Sequence, residues 1–267
     1  PRDIGVVRRE LGGLRPREID VGGGFAVRRD PFNRATHYAE PAELLAFHGL
    51  AGLMRALGRA VRFRAMARLM DTVVYRPNRR LAPSVEDYAA AVTGTLREAL
   101  PRHGVDPAGA ALQLEPGRSL FADCGVHLAT VRALKRMTRP VRWRHVIVDT
   151  TEFWLTGGRY EHHLHHYLFA NRAGDPMAGR ADVLGRSCYG DRILPTVPVP
   201  EGVAVGDVLA ILDTGAYQEV SASNFNAMPR PATVLFTGDQ AEVVRRAETE
   251  EDVFRRDVVP ERLAGRA

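Results

Sequence analysis

Two glycine-containing turns are the first features of this chain whose residue types and spacing suggest chemistry. Asp20–Phe25 holds three consecutive glycines and Glu115–Arg118 holds one, and each follows a short stretch that we predict as a buried strand. Glycine lets an anion approach the backbone N–H groups closely, and loops that follow parallel strands meet at one edge, so the two turns could share one phosphate. Neither turn is a known nucleotide fingerprint, since no Gly-Lys-Ser/Thr follows and Val27 replaces the third glycine of a dinucleotide-binding turn. A glycine triplet alone is equally typical of a tight turn.

A histidine-rich run, Glu161–His166, is a candidate for metal binding. In a helix, His162 and His166 would share one face, as would Glu161 and His165. Such a run is more often a polar patch or part of a substrate pocket. We therefore predict no metal site.

The two cysteines, Cys124 and Cys188, lack the CxxC spacing of zinc sites, and so few in a long chain do not make a disulfide framework. Cys124 lies in an apolar run, so we expect its side chain to be buried. Cys188 has a different setting, in Ser187–Asp191, and is a candidate for chemistry.

The composition, 45% hydrophobic and 26% charged, is that of an ordinary globular protein. The net charge is +5, but the basic residues are scattered arginines, with Lys135 the only lysine, and we predict no nucleic-acid partner. No stretch approaches the ~20 apolar residues that cross a membrane, and no signal peptide is visible, so we expect a cytoplasmic protein.

The elements that must position these residues change in type along the chain. Up to about residue 120, helices and strands alternate, which predicts an α/β region with a parallel sheet. Ser84 would cap a helix that ends at Leu100, with Asp87 completing a near capping box. Later segments predict a mostly β region, with a helix only in the tail near 239–255. The predicted strands are Ala110–Leu114, Val141–Asp149, Val203–Asp213 and Pro231–Phe236.

A series of short sequences carries a resemblance to a known family. In order, they are residues 20–25, 114–120, 187–191, 212–217, 222–226 and 229–231. Together they resemble the ornithine/diaminopimelate/arginine decarboxylase family, which has the alanine-racemase-like fold type of pyridoxal-phosphate (PLP) enzymes. Within that family the chain resembles the diaminopimelate decarboxylases most, from residue 17 to residue 236.

The resemblance implies the fold, the cofactor and the partners. Residues 1–125 would be the C-terminal part of a PLP-binding (β/α)8 barrel, with a helical insertion at about 36–80. Residues 126–267 would be a mostly β, barrel-like or sandwich-like, C-terminal domain. The activity implied is decarboxylation of a basic or otherwise polar amino acid, a small-molecule substrate, by a homodimer with active sites at the subunit interface.

The insertion contains an arginine-rich segment, residues 42–70, with apolar residues at helical spacing. We interpret it as a helical hairpin that covers an edge of the barrel or dimer. Membrane association is the alternative, and we predict no membrane partner.

Roles for individual residues are also implied by the resemblance. The phosphate would lie in the glycine loops with help from Arg118 and the phenol of Tyr217. Glu115 would pair with the pyridine nitrogen and keep it protonated, so that the ring accepts electrons as CO₂ leaves. Cys188 would be the catalytic cysteine, reaching the active site of the other subunit. The implied cofactor-binding residues are Gly22, Gly23, Gly24, Glu115, Gly117, Arg118 and Tyr217.

The chain departs from the family at the cofactor-binding lysine. In the family, the Schiff-base lysine lies well before the glycine triplet, whereas no lysine precedes it here and Lys135 follows the second glycine turn. We therefore expect a truncated coding sequence or fragment that lacks about half of the barrel and is inactive alone. A split enzyme with a partner chain is the alternative.

A second departure concerns the substrate. Diaminopimelate decarboxylases place an acidic residue directly after the catalytic cysteine, where this chain has Tyr189. Arg159 is the candidate for the arginine that binds the substrate carboxylate, but His163 stands where its tyrosine partner is expected. We expect an altered amino-acid substrate, bound by Arg159, Tyr189 and Asp191.

Two other functions remain open from the sequence. A PLP enzyme with another outcome, such as a racemase, would use much of the same site. A regulatory homologue that has lost PLP and dimerises with an active relative would explain the missing lysine. Glu115, Arg118 and Tyr217 argue against that second function, since a protein without PLP does not need them.

Overall fold

The structure is a computed structural model that describes residues 16–25, 83–106, 109–138, 143–156 and 165–263. The predicted insertion at about 36–80, with its arginine-rich segment 42–70, lies outside the described residues. Arg159 and most of the histidine-rich run lie outside them too.

The first strand, β1 (Glu18–Asp20), pairs in parallel with β2 (Ala111–Gln113), and Ile19 lies opposite Leu112. The predicted parallel arrangement is therefore confirmed for this pair. The prediction that β2 is buried is wrong, because all three of its residues are exposed. A sheet of two strands leaves its faces uncovered, whereas parallel strands are buried only when helices cover a wider sheet.

Between these two strands in the sequence lies α1 (Val85–Arg102), the longest described helix. The predicted cap is confirmed as a full capping box: Asp87 N donates to Ser84 Oγ at 2.9 Å, and Ser84 N donates to Asp87 Oδ2 at 3.1 Å. Leu100 and Val105 close the C-terminal end of α1 and are 1% exposed.

The other described helices are short. Two of them, α2 and α3, begin in the loops that hold candidate site residues. They are α2 (Arg118–Phe121), α3 (Gln218–Ser221) and α4 (Glu250–Phe254), with 3₁₀ turns at Ala122–Cys124, Ala170–Arg172 and Phe225–Ala227.

A six-stranded sheet has the order β5-β8-β3-β4-β6-β7. The pair β3–β4 is antiparallel, β4–β6 is parallel and β6–β7 is antiparallel. This mixed sheet confirms that, among the described residues after about residue 140, most of the regular elements are strands. The strands are β3 (Val126–Met137), β4 (Trp143–Val148), β5 (Tyr167–Phe169), β6 (Gly179–Leu184), β7 (Arg192–Val199) and β8 (Val208–Leu212).

The core of this sheet is made of β-branched and leucine side chains, the types that pack well on a pleated surface. In β4, Val146 and Val148 are fully buried and the residue between them is not, as expected where alternate side chains face the core. Further residues at 0% exposure are Val131, Val183, Val199, Leu209 and Ile211.

The chain ends in an antiparallel hairpin, β9 (Thr233–Thr237) and β10 (Gln240–Arg245), followed by α4. The prediction of a helix over 239–255 is therefore wrong for its first half. The two strands are joined by Gly238 and Asp239, and Gly238 has a φ of 61°. A two-residue loop that begins with a positive-φ glycine favours a hairpin. The helix prediction did not take this turn into account.

The chain divides into two compact units. The first contains residues 1–128, 163–168 and 210–216, and the second contains residues 129–162, 169–209 and 217–267. The predicted domains, 1–125 and 126–267, stay a prediction.

Candidate functional site

The two glycine turns lie side by side in the first unit. Because β1 and β2 are parallel, their carboxyl ends meet at one edge and both turns leave from it. Val21 N donates to Gln113 O at 3.2 Å, and Glu115 N donates to Gly22 O at 2.9 Å. The structure therefore brings together the glycine triplet and Glu115, which are distant in sequence.

The middle glycine of the triplet is required by this closeness. A Cβ on Gly23 would lie 2.3 Å from the backbone oxygen of Glu115, a distance that real Cβ atoms do not reach. Gly22 and Gly24 have φ values of 71° and 81°, and no atom of the described residues lies within 4 Å of a Cβ on either. The triplet is thus a turn with open space beside its backbone, the form that lets an anion reach N–H groups.

The second turn continues into α2. Gly117 is the residue before the first turn of that helix, and Arg118 begins it. Arg118 is buried, at 9% exposure, whereas Glu115 is exposed. A buried guanidinium beside a glycine turn can complete an anion site, since Arg binds phosphate oxygens in a fixed geometry.

The loop that leads to Tyr217 crosses the end of α2 within the same unit. Thr214 N donates to Gly125 O at 3.0 Å, and Gly215 N donates to Ala122 O at 2.9 Å. A Cβ on Gly215 would lie 2.1 Å from Phe121 O, so this crossing too requires glycine.

The prediction that Cys124 is buried is wrong, since its side chain is exposed beside this crossing. Its Sγ donates to Phe121 O at 2.9 Å. The apolar run around it forms a turn and the start of a strand rather than a core segment, which is why its residues do not share one buried face.

The described end of the histidine-rich run pairs with the same loop. His166 Nδ1 lies 3.4 Å from Asp213 Oδ2, and His165 Nδ1 lies 3.0 Å from Leu212 O. Asp213 is buried and has a φ of 61°. Within the described part of the chain, no group of three metal-binding side chains is arranged to hold an ion.

Tyr217, in the second unit, directly precedes α3 and has a φ of 69°. A positive φ is a strained conformation for a bulky aromatic residue, and such strain clusters at ligand sites. The side chain is 43% exposed. The structure thus presents Tyr217 on the surface of the second unit rather than packing it in the core.

Cys188 lies in a tight turn between β6 and β7 in the second unit, and Asp191 anchors that turn. Asp191 is 2% exposed. Its Oδ1 accepts from Thr151 Oγ1 and Glu152 N, both at 3.1 Å, and its Oδ2 accepts from Ser187 N at 2.8 Å. These three bonds engage both carboxylate oxygens in holding the turn.

An aromatic cluster stands beside this turn. Phe153 stacks on Phe225, with ring centroids 3.9 Å apart, and Tyr189 meets both rings edge-on at 5.6 Å and 6.0 Å. Edge-to-face contacts of this kind fix ring orientation. Tyr189 is nevertheless 59% exposed, so its outer side is available to a ligand.

One site residue was missed by sequence reasoning, although its motif was quoted. Asn226 Nδ2 donates to Cys188 Sγ at 3.3 Å. The two residues are 38 positions apart, so no local spacing rule could pair them.

The sequence of this chain is similar to those of known enzymes. A diaminopimelate decarboxylase of Methanothermobacter thermautotrophicus is 33% identical over 183 residues, 68% of this chain and 41% of that protein. Another, of Actinosynnema pretiosum subsp. auranticum, is 41% identical over 153 residues, 55% of this chain and 33% of that protein. This chain is related to the C-terminal part of the diaminopimelate decarboxylases. The predicted resemblance is confirmed, and the chain spans about two fifths or less of the length of these curated relatives.

Solved structures agree on the fold. The crystal structure of diaminopimelate decarboxylase from Methanocaldococcus jannaschii matches with a TM-score of 0.66 at 23% identity, over 98% of this chain and 47% of that chain. The crystal structure of SrLDC in complex with PLP and cadaverine matches with a TM-score of 0.52 at 20% identity, over 85% of this chain and 44% of that one. Models of protein families give no match.

Among the helices that the structure describes, none combines the length and the apolar character needed to cross a bilayer.

Proposed function

We propose that the protein to which this chain belongs is a PLP-dependent amino-acid decarboxylase similar to diaminopimelate decarboxylase. The observation that carries the proposal is the approach of Gly23 to the backbone of Glu115, which unites the glycine triplet with the carboxylate turn. The diaminopimelate decarboxylases among its relatives support the activity. The structure of SrLDC, which contains PLP, supports the cofactor.

The residues present fit the phosphate of PLP. Gly22 and Gly24 leave open space where a side chain would otherwise stand, so their backbone can approach an anion. The buried Arg118 supplies a permanent positive charge on the adjoining turn. In the proposal these residues, with Gly23 and Gly117, bind the phosphate.

PLP, when bound, supplies an electron-accepting ring for the bond that breaks as CO₂ leaves. Glu115 would hold a proton on the ring nitrogen, since a carboxylate there favours the positively charged form. Tyr217 would donate its phenol to the phosphate. Cys188 would carry a proton at Sγ toward the carbon that loses CO₂.

In the same proposal, the first part of the chain is the C-terminal portion of a PLP-binding (β/α)8 barrel, and the second is a β-domain. The match over nearly the whole chain to the M. jannaschii structure supports this division. The proposal includes a homodimer, with the Cys188 turn of one subunit at the active site of the other. Molecular mass in solution tests the dimer.

The substrate would differ from diaminopimelate. Tyr189, held edge-on by Phe153 and Phe225, offers an aromatic face and a phenol next to Cys188 but no carboxylate. A distal ammonium group would find no fixed negative partner on this residue. Asp191 would serve the site by anchoring the Cys188 turn, because both its oxygens are engaged there.

The test is to express the protein from its whole reading frame with PLP and record the visible absorption of bound cofactor. A yellow protein that releases CO₂ from one or more amino acids in a panel is the expected result. Glu115→Gln should retain PLP and lose most of the CO₂ release, because the amide does not keep the ring nitrogen protonated. A colourless protein, or one that racemises amino acids without CO₂ release, would overturn the proposal.

A further inference from the structure

The sulfur of Cys188 has a defined neighbour that the proposed function does not use. Asn226 Nδ2 lies 3.3 Å from Cys188 Sγ, and both residues belong to the second unit. We propose that Asn226 is a positioning residue, whose amide fixes the Cys188 sulfur in place and stabilises negative charge on it. The importance of this role for catalysis rests on the proposed function, but its test does not.

The backbone around Asn226 is held in a conformation that few residues adopt. Asn226 and Ala227 have φ values of 57° and 54°, both in the left-handed region. Asparagine tolerates that region because its short polar side chain bonds locally, whereas alanine is disfavoured there by contact of its Cβ with the backbone. Such a pair of residues persists only where the surroundings enforce it.

The surroundings that enforce it are polar bonds on the chain around Asn226. Ala227 N donates to Asn224 O at 2.9 Å, and Asn224 Nδ2 donates to Met228 O at 3.1 Å. Asn224 Nδ2 also donates to Glu248 Oε2, which in turn accepts from Arg230 N at 2.8 Å. The turn that presents the amide is therefore braced from both sides.

Hydrogen bonds also hold the turn that carries the Cys188 sulfur. Asp191 holds the turn that carries Cys188 through its bonds to Ser187 N and to Thr151 and Glu152. Two fixed turns thus meet at this N–H···S contact, beside the edge-on packing of Tyr189 on Phe225. A contact between two rigid turns has a fixed geometry, which is what a positioning role requires.

An N–H donor aimed at a sulfur favours its anionic form, which is the nucleophile in alkylation. In the reaction with iodoacetamide, the thiolate sulfur forms a bond to the CH₂ carbon, iodide leaves, and the thiol proton has gone to solvent. The rate at neutral pH therefore reports the state of the Cys188 sulfur without PLP or substrate. Cys124, the other cysteine and also exposed, is an internal reference in the same sample.

The experiment compares three variants of the full chain by mass spectrometry of the Cys188 and Cys124 peptides. Asn226→Asp is isosteric and places an acceptor with negative charge opposite the sulfur. Asn226→Gly removes the amide while keeping a left-handed backbone without strain. Gln240→Glu, at an exposed position in β10, adds the same charge away from the site.

Alkylation of Cys188 relative to Cys124 should fall about tenfold in Asn226→Asp and about threefold in Asn226→Gly. It should be unchanged in Gln240→Glu, and all three variants should melt within a few degrees of the parent. Equal relative rates in the parent and both Asn226 variants would overturn the positioning role, whatever the outcome of the decarboxylase assay. If the parent releases no CO₂ but shows the expected alkylation pattern, the proposed function alone is overturned.

Discussion

At the scale of single residues, the candidate site depends on a close backbone contact and on an exposed aromatic side chain. Gly23 lies against the backbone of Glu115 so closely that a methyl group cannot be accommodated. Tyr189 presents an aromatic face next to Cys188, and its side chain is 59% exposed. Each of these two positions yields a prediction on ligand binding.

Gly23→Ala should weaken PLP binding by about tenfold or more, because the added Cβ pushes apart the two turns that form the proposed phosphate site. The measurement is titration of the apo full-length protein with PLP, followed by visible absorption. Gly94→Ala is the matched control: it lies within α1 with nothing near its Cβ, and should leave PLP binding unchanged while adding about 1 kcal/mol of stability. Equal PLP affinity in both variants would remove Gly23 from the cofactor site.

Tyr189→Glu should raise kcat/KM for a diamino acid by about tenfold, because a carboxylate beside Cys188 can pair with a distal ammonium group. The measurement is CO₂ release from a panel of mono- and diamino acids by the full-length protein. Tyr189→Gln, similar in size and uncharged, should not show the gain. If neither variant favours diamino acids over the parent, Tyr189 does not line the substrate pocket.

At the scale of elements, short turns rather than long helices carry the candidate residues. The turn between β6 and β7 holds Cys188 because one buried carboxylate, Asp191, accepts bonds from both sides of it. The parallel pair β1–β2 places the two glycine turns at one edge through its main-chain register.

Asp191→Asn should destabilise the protein by about 2 kcal/mol, because one carboxylate oxygen becomes an NH₂ group facing backbone donors in a buried place. Thermal unfolding and limited proteolysis between β6 and β7 would show it. Asp175→Asn removes an exposed carboxylate paired with Arg172 and should change stability by less than about 0.5 kcal/mol. Similar melting temperatures for both variants would contradict the anchoring role of Asp191.

At the scale of the whole molecule, charged hydrogen bonds join residues of the second unit that are distant in the sequence. Hydrogen bonds from Arg230 lower the pKa of Glu248 to about 2, from an ordinary value of 4.5. Burial raises the pKa of Asp207, but bonds from Arg172, Ala204 and Asn171 outweigh it and leave the pKa below its ordinary value.

The lowered pKa of Glu248 predicts a pH dependence of stability. A carboxyl group whose pKa is lower in the folded state stabilises the protein fully above about pH 4.5, and that contribution is lost as the pH falls toward about 2. Urea unfolding midpoints measured across this range should decline in the parent and decline less in Glu248→Gln, which is less stable at neutral pH. A parallel decline in both proteins would contradict the assignment.

The sequence by itself determined the features that depend on near neighbours. The capping box of α1 needs only Ser84 and Asp87, three residues apart. Each glycine turn likewise needs only the glycines that follow a short strand. The family resemblance followed from the order of short motifs. Local dihedral preference and hydrogen bonding fix such features before the chain folds.

Tertiary structure alone decided which distant residues meet. Asn226 reaches Cys188 across 38 positions, and Asp191 reaches Thr151 across 40. Tertiary structure also leaves Cys124 exposed, and it pairs β9 with β10 where the first half of a helix was predicted. Burial and long-range contacts depend on how strands pair and turns cross, and apolar spacing within one segment does not encode that pairing.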